Sequence, residues 1–419
     1  MTSEIKQRIE QINNGQVPEG YFRTTAGIIP QEWRISPLGS LLEFKNGVNA
    51  DKGKYGSGIK MISVMDVLKN TPIHYNDIIG QVDIDENTLN TYCVNYGDIL
   101  FQRSSETAED AGKSNVYLDN EKTTYSGFVI RGKKKADYCP YFLNEALKKE
   151  EVRKQLIRNA AGSQHINIGQ ESLEKTEVCL PSATEQEKIA EILMKWDKAI
   201  ELQEKTIEKL HTKRDAVVQR VIKKKEGWHK EILSNILVER TEFATKEDGY
   251  PHASLTMDGV TQKTDRYNRD FLVKSDDKKY KVTHYNDICY NPANLKFGVI
   301  CVNKYENDAI FSPIYITYEV NPQYNTDFIG SILCSADFIR YIRKYEEGTV
   351  YERQAVKSSD LLRGVIWVPD TKEEQDQIAS IISEINTYIQ KQVDYCNSLK
   401  QQRKALQQYL LNGIVRVEV

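Results

Sequence analysis

The chain has 419 residues, enough for two or three domains that each bury a core, and with 57 basic against 60 acidic residues its formal net charge is −3. No global positive field draws the whole molecule onto a polyanion, so any nucleic-acid contact has to rest on locally placed basic residues or on those of a partner. No stretch approaches the roughly eighteen uncharged apolar residues of a membrane helix, and the charged start MTSEIKQRIEQINNG lacks the apolar core of a signal peptide, so a cytoplasmic location without membrane contact is expected.

The segment 1–20 contains SEIKQRIEQINN, which reads as a short helix compatible with docking near the end of the second long helix described below. A strand-rich globular domain is expected over 21–183. It holds WRISPLGSLL near its start, GKYGSG (Gly53, Gly56, Gly58) as a flexible connector, YGDILF at 96–101 and YSGFVI at 125–130. GKYGSG has neither the order of a dinucleotide loop nor the lysine-serine end of a triphosphate loop. Pro181 then ends the last strand, and 184–226 reads as one long helix, free of proline and glycine until Gly227. A second domain over 227–372 repeats the landmarks as WHKEILSNIL, YNDICY and FSPIYI, and Pro369 precedes a second long helix and tail over 373–419. The fold class is therefore α+β, with two domains in tandem and a long helix after each.

The two helices share a heptad seam. In the first, one set is Ile189, Trp196, Gln203, Leu210 and Val217, and the set four residues later is Leu193, Ile200, Ile207, Arg214 and Val221. Adding 189 gives Ile378, Ile385, Gln392, Leu399 and Leu406, then Ile382, Ile389, Cys396, Arg403 and Leu410. The polar interruptions Gln203/Gln392 and Arg214/Arg403 fall in the same heptads, as register-setting residues would. The same shift maps Tyr96, Asp98 and Ile99 onto Tyr285, Asp287 and Ile288, while Trp33 and Leu38 map onto Trp228 and Leu233 with a larger offset. At 1.5 Å per residue each helix reaches on the order of 60 Å, so two similar domains on such a rod act as two readers at a fixed separation, one to two turns of B-DNA apart.

Chemistry of the chain's own is poorly supported. Tyr290 to Asn294 spell YNPAN, an incomplete form of the Asn-Pro-Pro-aromatic motif that grips a flipped adenine. Pro369-Asp370 runs straight into a helix and forms no magnesium site. The six histidines lack zinc spacing, and the seven cysteines, odd in number and without a Cys-x-x-Cys pair, read as reduced and mostly buried thiols. Neither metal nor cofactor is expected. A non-enzymatic coiled-coil scaffold is the other reading.

A proline, a Glu-Gln pair, Ile-Ala and a long heptad helix occur twice, behind domains with GDILF-like and WRISPLG-like segments. In this the chain closely resembles the specificity subunits of type I restriction-modification systems. The resemblance spans nearly the whole chain and is carried most specifically by the duplicated EQxxIAxI core: Glu185, Gln186, Ile189, Ala190 and Ile192, then Glu374, Gln375, Ile378, Ala379 and Ile381. In the second copy Asn286 replaces the glycine of GDILF. The resemblance implies a non-catalytic subunit whose target recognition domains each read one half of a bipartite, asymmetric double-stranded DNA sequence. It implies that the helices pack as an antiparallel coiled coil with pseudo-twofold symmetry, set the half-site spacing and dock two modification subunits. Those partners would methylate adenine N6, and restriction subunits would add ATP-driven translocation and cleavage.

Candidate DNA contacts sit in two loops of each domain. After the GDILF-like strand they are Arg103, Ser104, Ser105, Lys113 and Asn115 in the first copy and Asn291, Asn294 and Lys296 in the second. Before the proline they are Gln164, His165 and Asn167, then Tyr351, Arg353 and Gln354. Arginine favours guanine, and asparagine or glutamine favours adenine. The run Lys133 to Lys135 reads as a solvated turn.

Overall fold

A computed structural model of the chain describes residues 2–160, 162, 166–256, 259–262, 279–346 and 355–417. It divides into two units, one formed by 1–202 with 396–419 and the other by 203–395. Each long helix, Ala183–Val221 and Lys372–Leu411, therefore contributes one segment to each unit.

In the first unit the alternating segment Arg34–Pro37 pairs antiparallel with Glu177–Leu180, which leads into the first long helix. The main sheet is antiparallel, in the order Leu42–Asn46, Val129–Lys134, Ile99–Gln102, Ser114–Val116. Its buried face meets Trp33, Leu38, the helix Pro140–Leu147, and Ile189 and Leu193 of the long helix in one core. The second unit repeats this plan. Trp228–Ile232 pairs with Val365–Pro369, and the sheet runs Leu237–Glu239, Ile316–Val320, Ile288–Tyr290, Ile300–Val302. Its core gathers Trp228, Leu233, the helix Thr326–Leu333, and Ile378 and Ile382.

The copies differ in their second sheet. In the first unit Thr124–Tyr125 lies parallel to Tyr55–Ile62, whereas in the second Ala309–Phe311 lies antiparallel to Tyr280–Thr283. The GKYGSG segment is no connector: it opens the strand Tyr55–Ile62, whose register against Val82 shifts between Tyr55 and Ile59. A side chain on Gly58, at φ +93°, would come within 2.6 Å of the Val82 carbonyl, so this bulge requires glycine.

Asn286 is explained by its backbone. Gly97 and Asn286 both have positive φ, +85° and +69°, in the turn that aims Asp98 and Asp287 back at the main chain. Asp98 accepts from the Asn95 and Lys134 N–H groups (3.0 and 2.9 Å), and Asp287 accepts from the His284 N–H (2.8 Å). Asparagine is the side chain that most readily replaces glycine in this conformation.

The helix Ser3–Asn13 lies against the end of the second long helix through Arg8 Nη1, which donates to the Ile414 carbonyl (2.6 Å). Tyr21 Oη donates to the Gly413 carbonyl (2.6 Å) from a hairpin formed by Tyr21–Thr24 and Gly27–Pro30. All seven cysteines are free: three are buried, three half-buried, and Cys334 is exposed.

Candidate nucleic-acid interface

The Glu-Gln pair that opens each long helix is a joint between the helix and the domain that precedes it. Glu185 accepts from the Trp33 indole N–H (3.2 Å), and Glu374 from that of Trp228 (3.1 Å). Gln186 Oε1 accepts from the Cys139 N–H (3.0 Å), and Gln375 Oε1 from the Asn325 N–H (2.9 Å). Cys139 and Asn325 stand at the N-caps of the helices Pro140–Leu147 and Thr326–Leu333, so each glutamine takes up an N–H at a helix entry. A cation from beyond the end of the other long helix completes each joint. Arg416 clasps Glu185 with two nitrogens (2.7 and 3.0 Å), and Lys225 stands 3.8 Å from Glu374.

Sequence reasoning had the Glu-Gln pair but not its targets. A local signal was present in Ser182-x-x-Glu185 and Thr371-x-x-Glu374, the pattern of a capping box. The hydroxyls do cap, accepting from the N–H groups of Glu185 (3.3 Å) and Glu374 (3.4 Å), while the glutamates turn away to the indoles.

Within each unit the helix segments run antiparallel. In the first, Ile189 and Leu193 share the core with Leu410 and Leu411, and Asp197 meets Arg403. In the second, Gln203 meets Gln392, and Val218, Val221 and Ile222 pack into the core of Ile378 and Ile382. Ile389 is buried as well; Trp196, Ile200, Ile207, Leu210, Ile385, Leu399 and Leu406 are half-buried; Val217 is exposed.

The polar interruptions behave differently from one another. Gln203 Nε2 donates to Gln392 Oε1 (2.9 Å) and to its carbonyl (3.2 Å), so the equivalent glutamines pair with each other. Arg403 instead binds Asp197 (2.8 and 3.0 Å) and Glu145 (2.6 Å), and Glu145 is only 1% exposed. Burial alone would lower the Arg403 pKa, but the Glu145 and Asp197 carboxylates outweigh it and hold the charge more firmly than in a free arginine. Arg214 pairs with its neighbour Asp215 (2.6 Å). The shared helix caps align Glu145 with Ser331, and the seam aligns Asp197 with Asn386, so the acidic cage exists in one copy.

The two candidate loops of the first domain come together. Ser104–Ser105 pairs antiparallel with Ile166–Asn167, and Ser104 Oγ hydrogen-bonds the Asn167 side chain. Arg103 is half-buried; its N–H donates to the Phe128 carbonyl (2.9 Å) and its Nη1 to the Gly127 carbonyl (3.3 Å). Lys113 is paired with Asp110 (2.5 Å) and remains half exposed. In the second domain the Val356 N–H donates to the Pro292 carbonyl (3.2 Å), which brings the stretch 291–296 beside the end of the other loop. Asn294 is exposed, and Lys296 Nζ stands 5.3 Å from the centre of the Phe297 ring. Gln164, His165, Tyr351, Arg353 and Gln354 lie outside the described residues.

Three candidates serve the fold instead of facing outward. Asn115 is 1% exposed, and its Nδ2 contacts the carbonyls of Asp66, Lys69 and Thr71 at 2.8–3.4 Å. Ser105 is buried and donates to the Thr107 carbonyl (2.6 Å). Asn291 is buried and accepts from the Ala293 N–H (3.1 Å). Asn115→Ala is expected to destabilise the domain by about 1–3 kcal/mol, because three carbonyls lose their donor. Urea unfolding measures this; an unchanged midpoint together with an altered DNA preference would reverse the assignment. Tyr290 of YNPAN is likewise a core residue: its ring stacks on Tyr318 (centroids 6.0 Å apart) and its hydroxyl donates to the Val356 carbonyl (3.1 Å).

Residues 30–212 match the family described as the type I restriction modification DNA specificity domain. The MjaX type I restriction enzyme specificity subunit of Methanocaldococcus jannaschii is 23% identical over 440 residues, covering 96% of this chain and 97% of that protein. Among solved structures, a chain from a study of assembly and conformational transition of the type I R-M system is similar at TM-score 0.60 and 12% identity, covering 92% of this chain and 99% of its own. The S subunit of the type I system from M. genitalium is similar at TM-score 0.50 and 14% identity, covering 92% and 96%. The structural likenesses show the fold. The fold is thus that of two mixed domains with two long helices, and the matched DNA specificity segment covers most of the first of those domains. Residues 30–212 therefore carry a type I restriction modification DNA specificity domain, and over nearly its whole length the chain is similar to a type I restriction enzyme specificity subunit.

Proposed function

We propose that this subunit reads a bipartite, asymmetric double-stranded DNA sequence, one half with the domain at 21–183 and the other with that at 227–372. The helices at 184–226 and 373–419 act as the ruler between the half-sites and dock two modification subunits, which methylate adenine N6, and restriction subunits add ATP-dependent cleavage. The reading is supported above all by the duplicated joint. Two domains with differing loops are each fixed to a long helix by the same tryptophan-glutamate and glutamine-to-cap bonds, and such fixation is what a spacing device needs. The residues proposed to touch DNA are Arg103, Ser104, Lys113, Asn167, Asn294 and Lys296, together with Gln164, His165, Tyr351, Arg353 and Gln354, which are proposed from the sequence. Arg103 and Lys296 supply the local positive charge that the net composition lacks, and Lys113, paired with Asp110, is a phosphate-contact candidate only on exchanging that partner. The complex is proposed to act in the cytoplasm.

Mapping of methylated adenines, by single-molecule sequencing in cells carrying this protein and its modification partner, tests the reading. A split, asymmetric motif that disappears when this chain is deleted is the expected result. Methylation unaffected by the deletion would favour a scaffold role.

A further inference from the structure

Segments YSGFVI and FSPIYI each close a tight turn, with Val129 N–H donating to the Ser126 carbonyl (2.9 Å) and Tyr315 N–H to the Ser312 carbonyl (3.1 Å). In each turn the third residue is large, apolar and turned to solvent: Phe128 is 65% exposed and Ile314 is 60% exposed. A single exposed apolar residue is ordinary on a protein surface. The same turn position, large, apolar and exposed in both copies, is not explained by that.

The turn in the first domain is also held rigidly and in a telling place. A side chain added to Gly47 would strike the Ser126 carbonyl at 2.1 Å, so the backbones are in close approach there, and one added to Gly127 would meet the Asn49 side-chain amide at 1.7 Å. Arg103 grips the turn through its N–H and guanidinium, which sets Phe128 beside Arg103 and the Ser104–Asn167 ribbon. In the second domain Ile314 immediately precedes Tyr315, whose hydroxyl hydrogen-bonds Asn291 at the start of the 291–296 stretch. Each turn thus presents an apolar group next to a candidate DNA-contacting stretch, Arg103–Ser104 in the first domain and, through the buried Asn291, the stretch that carries the exposed Asn294 in the second. The complementary apolar group in the major groove is the thymine C5-methyl.

We infer that Phe128 and Ile314 are specificity-determining residues, each making the apolar contact to a thymine methyl in its own half-site. This rests on the proposed bipartite reading. The two differ in shape, flat ring against branched chain, as readers of different sequences would.

The test uses the full complex with its modification subunits and duplexes carrying the mapped motif. In the wild-type complex, replacing thymines one at a time by deoxyuridine is expected to weaken binding about 3- to 10-fold at one position in each half. In Phe128→Ala the loss disappears in one half only, and in Ile314→Ala in the other, with the unfolding midpoint unchanged because both side chains are exposed. No position whose deoxyuridine effect depends on Phe128 or Ile314 overturns the inference. So does loss of modification-subunit binding in the variants, or a rise in 2-aminopurine fluorescence that reports a wedge between bases. A wild-type complex that shows no motif at all refutes the bipartite reading instead, and so separates the two.

Discussion

Arg403→Met is expected to cost the first unit up to about 3–5 kcal/mol, because it removes the cation that Glu145 and Asp197 share and leaves Lys148 to face the buried Glu145 carboxylate. Arg214→Met, at the matching heptad, is expected to cost less than about 1 kcal/mol, since its pairing with Asp215 lies near solvent. Arg403 holds Asp197 and Glu145 together, and Glu145 is also reached by Gln407 (2.9 Å) and Lys148 (2.5 Å). These remaining donors keep the penalty from being larger. Urea unfolding of the full-length variants measures the difference, with the loss confined to the transition that carries the first unit. Pairing Arg403→Met with Glu145→Leu should restore most of the stability, because an apolar pair replaces the buried charges. Equal losses at Arg403 and Arg214 would show that the cage contributes nothing beyond the seam.

Exchanging residues 21–183 for the matching region of a relative is expected to change one half of the methylated motif completely and leave the other half and the spacing intact. The expectation follows from the joint. Its helix-side members, Glu185 and Gln186, remain in place, and Trp33 arrives with the incoming domain, so the graft meets the contacts it needs. Sequencing of methylated adenines with the chimera reads the result directly. A motif altered in both halves would mean that the domains do not read independently.

Much of the architecture was legible because it repeats. Helices free of proline and glycine, a seven-residue apolar period and a shift of 189 between copies are regular signals that a single sequence carries. What escaped was the identity of tertiary partners. Locally Arg214 is followed by Asp215, with which it pairs, and Arg403 by Lys404; the cage itself depends on Glu145 against Ser331 and Asp197 against Asn386, residues on other elements or other faces. Asn115 looked like a base reader because asparagine in a polar loop usually faces water, but three carbonyls from 66–71 close around its amide. The glycines of GKYGSG suggested slack, yet a side chain on Gly58 would strike the Val82 carbonyl of the neighbouring strand.

The joint also bears on how such a gene can change. Tryptophan, glutamate and glutamine lie within one continuous coding stretch that begins ahead of each domain and ends one turn into the helix behind it. A genetic crossover placed further along either helix therefore moves a reader together with its tryptophan-glutamate and glutamine-to-cap bonds, and leaves only the closing cation, Arg416 or Lys225, to the receiving chain. A crossover inside a domain breaks a sheet instead. Inheritance by whole cassettes is the route this architecture leaves open to a new target sequence.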